Sequence, residues 1–360
     1  MRSPASTRRV LLVAGLVALL VAAFAIGSAT RDDDPQEQAS TGPAAVTPNG
    51  EPPTTYTYTD PDAEPEVPAG TPEDDPDTAA PTTTAGKPST ARSGSPRRTL
   101  QRAADAAAKA GGSGTGVAVG TLGPGTVVQA GSLQTTHAWS TSKPAVLAAV
   151  LRARRSGRLG GSRSPTSQER TWARRALTAS DNAAAISLFG ELEGRFGGVD
   201  GASREVETAL RAGAGKAIRV NRERRESFTT FGQTSLRLTD GVRFYGGLAG
   251  SCVLSNADTR FVVGLMRDVD GSQRWGLGSP PWDAKVGFKG GWGPESGGRY
   301  VAVQYGVLRK GSNGIVVAIA AQADGGLEAV TPRLTSMAKA LERALPASRW
   351  PAMPKTCPEI

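Results

Sequence analysis

The spacing of hydrophobic positions predicts an ordered series of helices and strands over residues 96–360. Apolar residues three or four positions apart are typical of amphipathic helices, and this spacing covers 97–112, 140–155, 167–220, 233–250, 255–269 and 332–347. Clustered or alternating β-branched residues predict strands, two of them around a Gly-Pro-Gly turn within 114–132 and three more at 282–291, 300–309 and 314–323. This order fits an α+β fold with a single antiparallel sheet, which terminal helices flank on one face and a helical lobe flanks on the other.

The N-terminal part of the chain follows a different pattern. Residues 1–29 carry three arginines followed by an uncharged apolar stretch, which is typical of a membrane anchor or a signal peptide. Cleavage after Ala29 and an uncleaved anchor through residues 10–29 both stay open. Residues 30–95 are rich in Pro, Thr, Asp and Glu, and this composition predicts a disordered linker because it buries too little apolar surface to fold. Since the positive flank is N-terminal, we expect residues 96–360 to form one extracytoplasmic domain, either membrane-anchored or secreted.

The charge distribution and the cysteine content argue against a nucleic-acid-binding protein and against a metal site. The chain has a formal net charge of +9, although the linker is acidic, so the domain that follows it is strongly basic. Its arginines are scattered without an aromatic-interleaved stripe, which argues against a nucleic-acid partner and suits an anionic cell envelope. One histidine and two cysteines are too widely spaced for a metal site. In an oxidising compartment we expect Cys252 and Cys357 to form a disulfide.

A polar cluster that begins at His137 opens one of the predicted helices. Ser140 and Lys143 lie one helical turn apart, so the lysine amine can reach the serine hydroxyl and act as its base. The helix N-terminus adds a backbone N–H for a developing oxyanion. The alternative is a simple helix cap, and Ser336 and Lys339 repeat the S-x-x-K spacing in what we expect to be an ordinary surface helix. His137 is too close in sequence to reach the Ser140 hydroxyl as a base, so we expect it to make a local loop or cap contact.

A second motif, Ser180-Asp181-Asn182, lies in the helical middle of the domain. Ser and Asp are favoured helix caps, which is the simplest explanation of this motif. The functional alternative makes Ser180 a proton shuttle and directs the Asn182 amide toward a substrate amide.

A third motif, Lys289-Gly290-Gly291, lies on a predicted strand and is followed by Trp292. A lysine on a strand is often solvated, but one that faces a cleft can bind a substrate carboxylate. Lys285 begins a second K-x-G on the same strand face. We prefer Lys289 because the strand is predicted to end there, where active-site edges lie.

The ordered set of three motifs resembles the penicillin-recognising serine enzymes, which are the class A β-lactamases and the penicillin-binding D,D-peptidases, over about residues 98–350. The resemblance implies that the motif residues share one active site: Ser140 as the acylated nucleophile, Lys143 as its base, Ser180 as the proton relay, Asn182 and Lys289 as substrate-binding groups, and Gly291 and Trp292 on the substrate-binding strand. The backbone N–H groups of Ser140 and Trp292 would form the oxyanion hole. Such an enzyme is expected to be a monomer without a cofactor, and its substrate is expected to be a β-lactam or a peptidoglycan stem peptide.

The sequence departs from this family in two respects. Gly290 stands where the third motif of the family has Thr or Ser, so it offers no hydroxyl to the substrate carboxylate. Residues 211–230 contain Asn221, Glu223 and Glu226, but they lack the glutamate–asparagine spacing of class A β-lactamases, whose glutamate activates the hydrolytic water. We therefore expect a serine acyl hydrolase with slow deacylation. A penicillin-binding or cell-wall-binding protein without turnover is the alternative, and a purely structural envelope protein is the third hypothesis.

Overall fold

A computed structural model describes residues 95–223, 228–353 and 357 of the chain. The anchor or signal prediction for residues 1–29, and the linker prediction for all but the last residue of 30–95, lie outside the described residues. Within the described ranges, no helix is both long and apolar enough to cross a bilayer.

Five strands form one antiparallel sheet, and two short strands form a second. In chain order the strands are β1 (Thr115–Thr121), β2 (Val127–Gly131), β3 (Thr135–His137), β4 (Ser235–Arg237), β5 (Lys285–Pro294), β6 (Arg299–Lys310) and β7 (Asn313–Asp324). The large sheet has the order β2-β1-β7-β6-β5, and β3 pairs with β4. Strand β5 is therefore an edge strand of the described sheet, and it pairs with β6 in a register that places Lys289 opposite Tyr305.

The helices cover both faces of the large sheet. They are α1 (Pro96–Gly111), α2 (Lys143–Arg155), α3 (Ser167–Thr178), α4 (Asn182–Phe196), α5 (Gly198–Ala214), α6 (Leu238–Ala249), α7 (Asn256–Arg267) and α8 (Leu327–Ala344). The first and last helices pack in one apolar cluster with Val317, while the other helices pack in a second cluster with Val316. Since side chains alternate along a strand, these neighbours in β7 face opposite layers. The predicted α+β fold, one antiparallel sheet between terminal helices and a helical lobe, is confirmed.

A capping box at the start of α3 is also ion-paired with the neighbouring helix α2. The Thr166 hydroxyl accepts a hydrogen bond from the Glu169 N–H at the start of α3, and the Glu169 carboxylate accepts one from the Thr166 N–H. The same carboxylate pairs with Arg154 of α2 at 2.8 Å, and both side chains are almost completely buried. This pair fixes α2 and α3, whose neighbouring turns carry Ser140 and Ser180, relative to each other.

Several predicted helices have different bounds in the structure. Residues 233–250 are divided into β4 and α6, because residues 235–237 pair with β3 rather than continue a helix; three-residue strands leave almost no periodic signal. The last helix begins at Leu327 and not at Pro332. Its buried Val330 anchors the first turn under the sheet, and Pro332 removes a single backbone donor from the helix.

The predicted disulfide is present. Cys252, in the turn after α6, is bonded to Cys357, and their Cα atoms are 5.4 Å apart. The bond ties the C-terminal segment to the helical lobe and closes a long loop of the chain.

Candidate active site

Ser140 lies on a short 3₁₀ turn, Trp139–Ser142, that leads directly into α2. The sequence predicted Ser140 on the first turn of the α-helix itself. The α-helix begins only at Lys143, because Pro144 has no N–H to donate to the Ser140 carbonyl, which accepts a bond from the Lys143 N–H instead. Trp139 adopts φ 48°, a conformation that costs a bulky residue about 1–3 kcal/mol and that surrounding contacts must hold in place.

Lys143 is fully buried beside the second motif. Its Nζ atom donates to the Ser180 carbonyl oxygen and, at 2.8 Å, to Asn182 Oδ1. Ser180 Oγ lies 3.4 Å from the same nitrogen. Burial lowers the pKa of the Lys143 ammonium to about 7, and the charge of Asp181 opposes that shift. A lysine with this pKa is partly neutral at physiological pH, so its nitrogen can accept a proton.

The second motif combines a helix cap with a strained serine. Asp181 is the N-cap of α4, and its carboxylate accepts a hydrogen bond from the Ala184 N–H at 3.0 Å. That bond, together with Arg175, lowers the pKa of Asp181. Ser180, one residue earlier, has φ 60°. The capping explanation therefore holds for Asp181, and the same turn presents both polar groups of Ser180 to Lys143.

Lys289 approaches the same serine from the sheet. Its fully buried Nζ atom donates to Ser180 Oγ and to the Gly290 carbonyl, each at 2.8 Å. Burial and the charge of Lys143 lower the pKa of Lys289 well below its ordinary value, against the opposing charge of Asp270.

The competing lysine on the same strand is solvated. Lys285 shares the strand face of Lys289 by its register but is exposed to solvent. The expectation that β5 ends near Lys289 is wrong, since the strand continues to Pro294 with β6 paired along its whole length. Burial against Ser180, rather than a strand end, distinguishes Lys289.

The structure thus brings Lys143, Ser180, Asn182 and Lys289 into hydrogen-bond contact where the lobe meets the sheet, at the position of the predicted cleft. Among the described residues, neither ammonium has a carboxylate within ion-pair distance, so the cleft favours an anionic ligand. By contrast, Ser336 and Lys339, the other S-x-x-K pair, are exposed on α8, and the Ser336 hydroxyl donates to the Pro332 carbonyl.

The contacts of Ser140 with the sheet are made by its backbone and not by its hydroxyl. We expected its Oγ near Lys143 Nζ, but the Ser140 hydroxyl has no hydrogen-bond partner among the described residues, because Lys143 is directed to the second motif. A Cβ atom on Gly291 would lie 2.9 Å from the Ser140 nitrogen and 2.8 Å from Trp139 Cβ. Glycine at position 291 therefore allows β5 to pass directly beside the Ser140 N–H, next to the N–H of Trp292.

The side chain of Trp292 lies on the opposite face of β5. Its ring meets Trp275 edge-on, with centroids 5.9 Å apart. A Cβ atom on Gly290 would be 3.4–3.6 Å from these two rings, which is ordinary contact distance. The missing side chain at position 290 thus leaves a position lined by indole rings.

Sequence reasoning missed the partner of the histidine. His137 makes the expected local contact, because its ring meets Trp139 edge-on with centroids 6.0 Å apart. Its hydrogen-bond partner is distant: Nδ1 lies 2.7 Å from Glu295 Oε2, 158 positions along the chain. Glu295 Oε1 accepts a hydrogen bond from Trp139 Nε1 at 3.3 Å. Glu295 follows the third motif by a few residues, but nothing in the local sequence indicates what it contacts.

In the part of residues 211–230 that the structure describes, no carboxylate contacts the motif residues. Glu223 is exposed, and the Asn221 amide donates to the carbonyls of Glu223 and Thr230. Glu226 lies outside the described residues. Among the residues that the structure does describe, no carboxylate is hydrogen-bonded to Ser140, Lys143 or Ser180, and no group of acidic, His or Cys side chains could hold a metal ion.

Comparison with known proteins finds matches among solved structures only. The sequence matches no family model and no curated protein. The structure is similar to a β-lactamase from Burkholderia vietnamiensis, with a TM-score of 0.51 at 20% identity, over 71% of this chain and 97% of that one. It is similar to a β-lactamase from Xanthomonas campestris pv. campestris, with a TM-score of 0.53 at 18% identity, over 69% and 98%. It is also similar to a variant of the last common ancestor of Gram-negative class A β-lactamases, with a TM-score of 0.53 at 19% identity, over 69% of this chain and 98% of that one.

Proposed function

We propose that this chain, which has the fold of the class A β-lactamases, is a serine acyl hydrolase that acts on β-lactams or on peptidoglycan stem-peptide analogues. The observation that carries the proposal is the convergence of two buried lysines, Lys143 and Lys289, on the Ser180 hydroxyl. Burying two lysine side chains without a carboxylate partner disfavours their charged forms and lowers both pKa values. Such an arrangement is explained by a need for a neutral base and for an anion-binding group in one cleft.

In the proposed reaction, Ser140 Oγ attacks the carbonyl carbon of the substrate amide. Neutral Lys143 accepts the hydroxyl proton, directly or through Ser180, and the oxyanion accepts hydrogen bonds from the backbone N–H groups of Ser140 and Trp292. The C–N bond then breaks, and the proton passes through Ser180 to the leaving nitrogen. An ester on Ser140 and a neutral Lys143 remain.

Substrate recognition in this proposal uses the remaining polar groups of the cleft. The protonated form of Lys289 attracts the substrate carboxylate, and the Asn182 amide, held by Lys143, binds the substrate amide. A side chain at position 290 would lie against the rings of Trp275 and Trp292, so carboxylate binding in this proposal rests on Lys289 without a hydroxyl from position 290.

Hydrolysis of the ester needs a second base, and this is the weak step of the proposed cycle. The absence of a carboxylate partner for the described cleft residues favours a long-lived acyl-enzyme, since a missing general base slows a reaction by about 10²–10⁴-fold. The same observation supports the second candidate function, a penicillin-binding protein without turnover.

Incubation with a labelled penicillin, followed by intact mass measurement and a chase with unlabelled drug, tests the proposal. We expect one adduct per chain, abolished by Ser140→Ala and retained in Ser336→Ala, the matched change in the exposed S-x-x-K pair. A label that is released slowly during the chase supports the hydrolase, whereas a permanent label supports the binding protein. No label in the unaltered chain would contradict the hydrolase and would support a protein that binds without a covalent bond, or a purely structural envelope protein.

We also propose that the domain works outside the cytoplasm as a monomer, with residues 10–29 as its anchor or export signal. The Cys252–Cys357 disulfide supports this proposal because such bonds persist in oxidising compartments. Fractionation of cells that express the full chain should place it in the membrane or the exported fraction, and sedimentation should give the monomer mass. Recovery in the cytosol with both thiols reduced would contradict the proposed location.

A further inference from the structure

The carboxylate of Glu295 contacts the side chains of both His137 and Trp139, next to the turn that carries Ser140. One oxygen contacts His137 Nδ1 at 2.7 Å, and the other accepts the Trp139 indole N–H at 3.3 Å. Glu295 follows the last residue of β5, and its own backbone N–H donates to the Arg299 carbonyl at 2.8 Å. The carboxylate is therefore anchored to the edge of the sheet, while both of its partners belong to the segment that carries Ser140.

The indole of Trp139 is packed tightly against β5. A Cβ atom on Gly293 would lie 2.3–2.5 Å from the indole ring, so only glycine leaves room for the ring at this position. On its other side the ring meets Phe228 edge-on, with centroids 5.2 Å apart. Trp139 is almost completely buried between these groups, and a positive φ such as that of Trp139 persists only where surrounding contacts hold it.

We infer that Glu295 is a positioning residue for acylation: by holding the Trp139 indole against β5 it fixes the backbone N–H of Ser140 in the oxyanion hole. The inference rests on the proposed function. The link is short, because Ser140 directly follows Trp139 and its nitrogen lies close to Gly291. Without the bond to Glu295, the Trp139 indole would be free to move and the Trp139 backbone could relax toward a negative φ. The Ser140 N–H would then move away from the substrate oxyanion, to which the Trp292 N–H also donates.

The kinetic test compares Glu295→Gln with Glu342→Gln, the same change on α8 across the sheet. We expect Glu295→Gln to lower the rate constant of the acylation step by about tenfold, less than the 10²–10³ that follows from deleting an oxyanion donor. The dissociation constant of the preceding complex should stay within about twofold, because Lys289 and Asn182 are unchanged. A general loss of folded protein would not produce this separation of the two constants.

Trp139→Phe, which keeps an aromatic ring but removes the N–H, should cause a similar loss. Combining it with Glu295→Gln should add little, because Glu295→Gln weakens the same charge-assisted hydrogen bond that Trp139→Phe removes. Additive losses, or an unchanged acylation step in Glu295→Gln, would overturn the inference.

A spectroscopic readout tests the same contact without any substrate. The indole N–H resonance of Trp139 is assigned by its absence in Trp139→Phe, and we expect it to shift in Glu295→Gln but not in Glu342→Gln. An unmoved resonance would overturn the inference even if acylation slowed.

The rate measurements are repeated with a fluorophosphonate, which labels activated serines without requiring a β-lactam. If penicillin fails and the fluorophosphonate labels Ser140, the proposed substrate class is wrong, while the rate ratio between Glu295→Gln and Glu342→Gln still decides the inference. If neither reagent labels Ser140, no reaction exists for Glu295 to support, and the inference is overturned as well.

Discussion

Acylation of Ser140 should accelerate as the pH rises through about 7, because Lys143 must be neutral to accept the serine proton. Burial lowers the Lys143 pKa to about 7, so the neutral fraction is about one tenth at pH 6 and about nine tenths at pH 8. We therefore expect a nearly tenfold gain between these two pH values and a plateau for this ionisation above them. The second-order acylation constant is the quantity to follow, since it reports the free enzyme.

Removing the charge of Asp181, next to Lys143, tests whether the pH dependence of acylation arises from Lys143. The charge of Asp181 raises the Lys143 pKa, so Asp181→Asn should move the rising part of the profile to lower pH. Asparagine also caps helices well, which keeps the start of α4 intact. Lys143→Arg should abolish acylation because arginine stays charged, while Lys339→Arg, in the exposed S-x-x-K pair, should leave the rate and its profile unchanged.

The assay is rapid-quench labelling with a penicillin at several pH values from about 6 to 8, read by intact mass. Circular dichroism at each pH verifies that every variant stays folded. A rate that is independent of pH in this interval, or that falls as the pH rises, would refute the role of Lys143 as the base. A profile unmoved by Asp181→Asn would refute the assignment of the ionisation to Lys143.

Three further outcomes follow from the structure. Replacing Cys252 and Cys357 together by Ser should lower the free energy of unfolding by about 4–5 kcal/mol for a loop of this length in the chain-entropy model, measured by urea titration; a loss below about 1 kcal/mol would contradict that model here. Gly293→Ala should cost about 1–3 kcal/mol through overpacking against Trp139, whereas Gly264→Ala, on an open helix face, should not destabilise; equal stabilities would contradict the close contact. In steady state, penicillin hydrolysis should show a burst of one product per chain followed by slow turnover; rapid multiple turnover would point to an acid outside the described cleft.

Much of the architecture is determined by local sequence patterns. The β-branched residues of β6 and β7 and the amphipathic spacing of α1 and α7 predict their own secondary structure, because periodicity decides which face of an element can be buried. The disulfide is predicted from composition, because the sequence has no third cysteine to compete and its N-terminal pattern predicts export. Where the pattern is short or interrupted, as in β3, β4 and the turn before Pro332, partner strands or buried neighbours decide the conformation.

The candidate site is determined only in part by its motifs. Ser140-x-x-Lys143 and Ser336-x-x-Lys339 are equivalent as sequence, yet the fold buries the first lysine and leaves the second in solvent. Burial in turn is what lowers the Lys143 pKa, and no local pattern encodes it. The contact of Glu295 with His137 joins residues 158 positions apart, so it exists only after the lobe and the sheet have packed. The sequence alone thus specifies the chemical groups, and the tertiary structure decides which of them are desolvated and which meet.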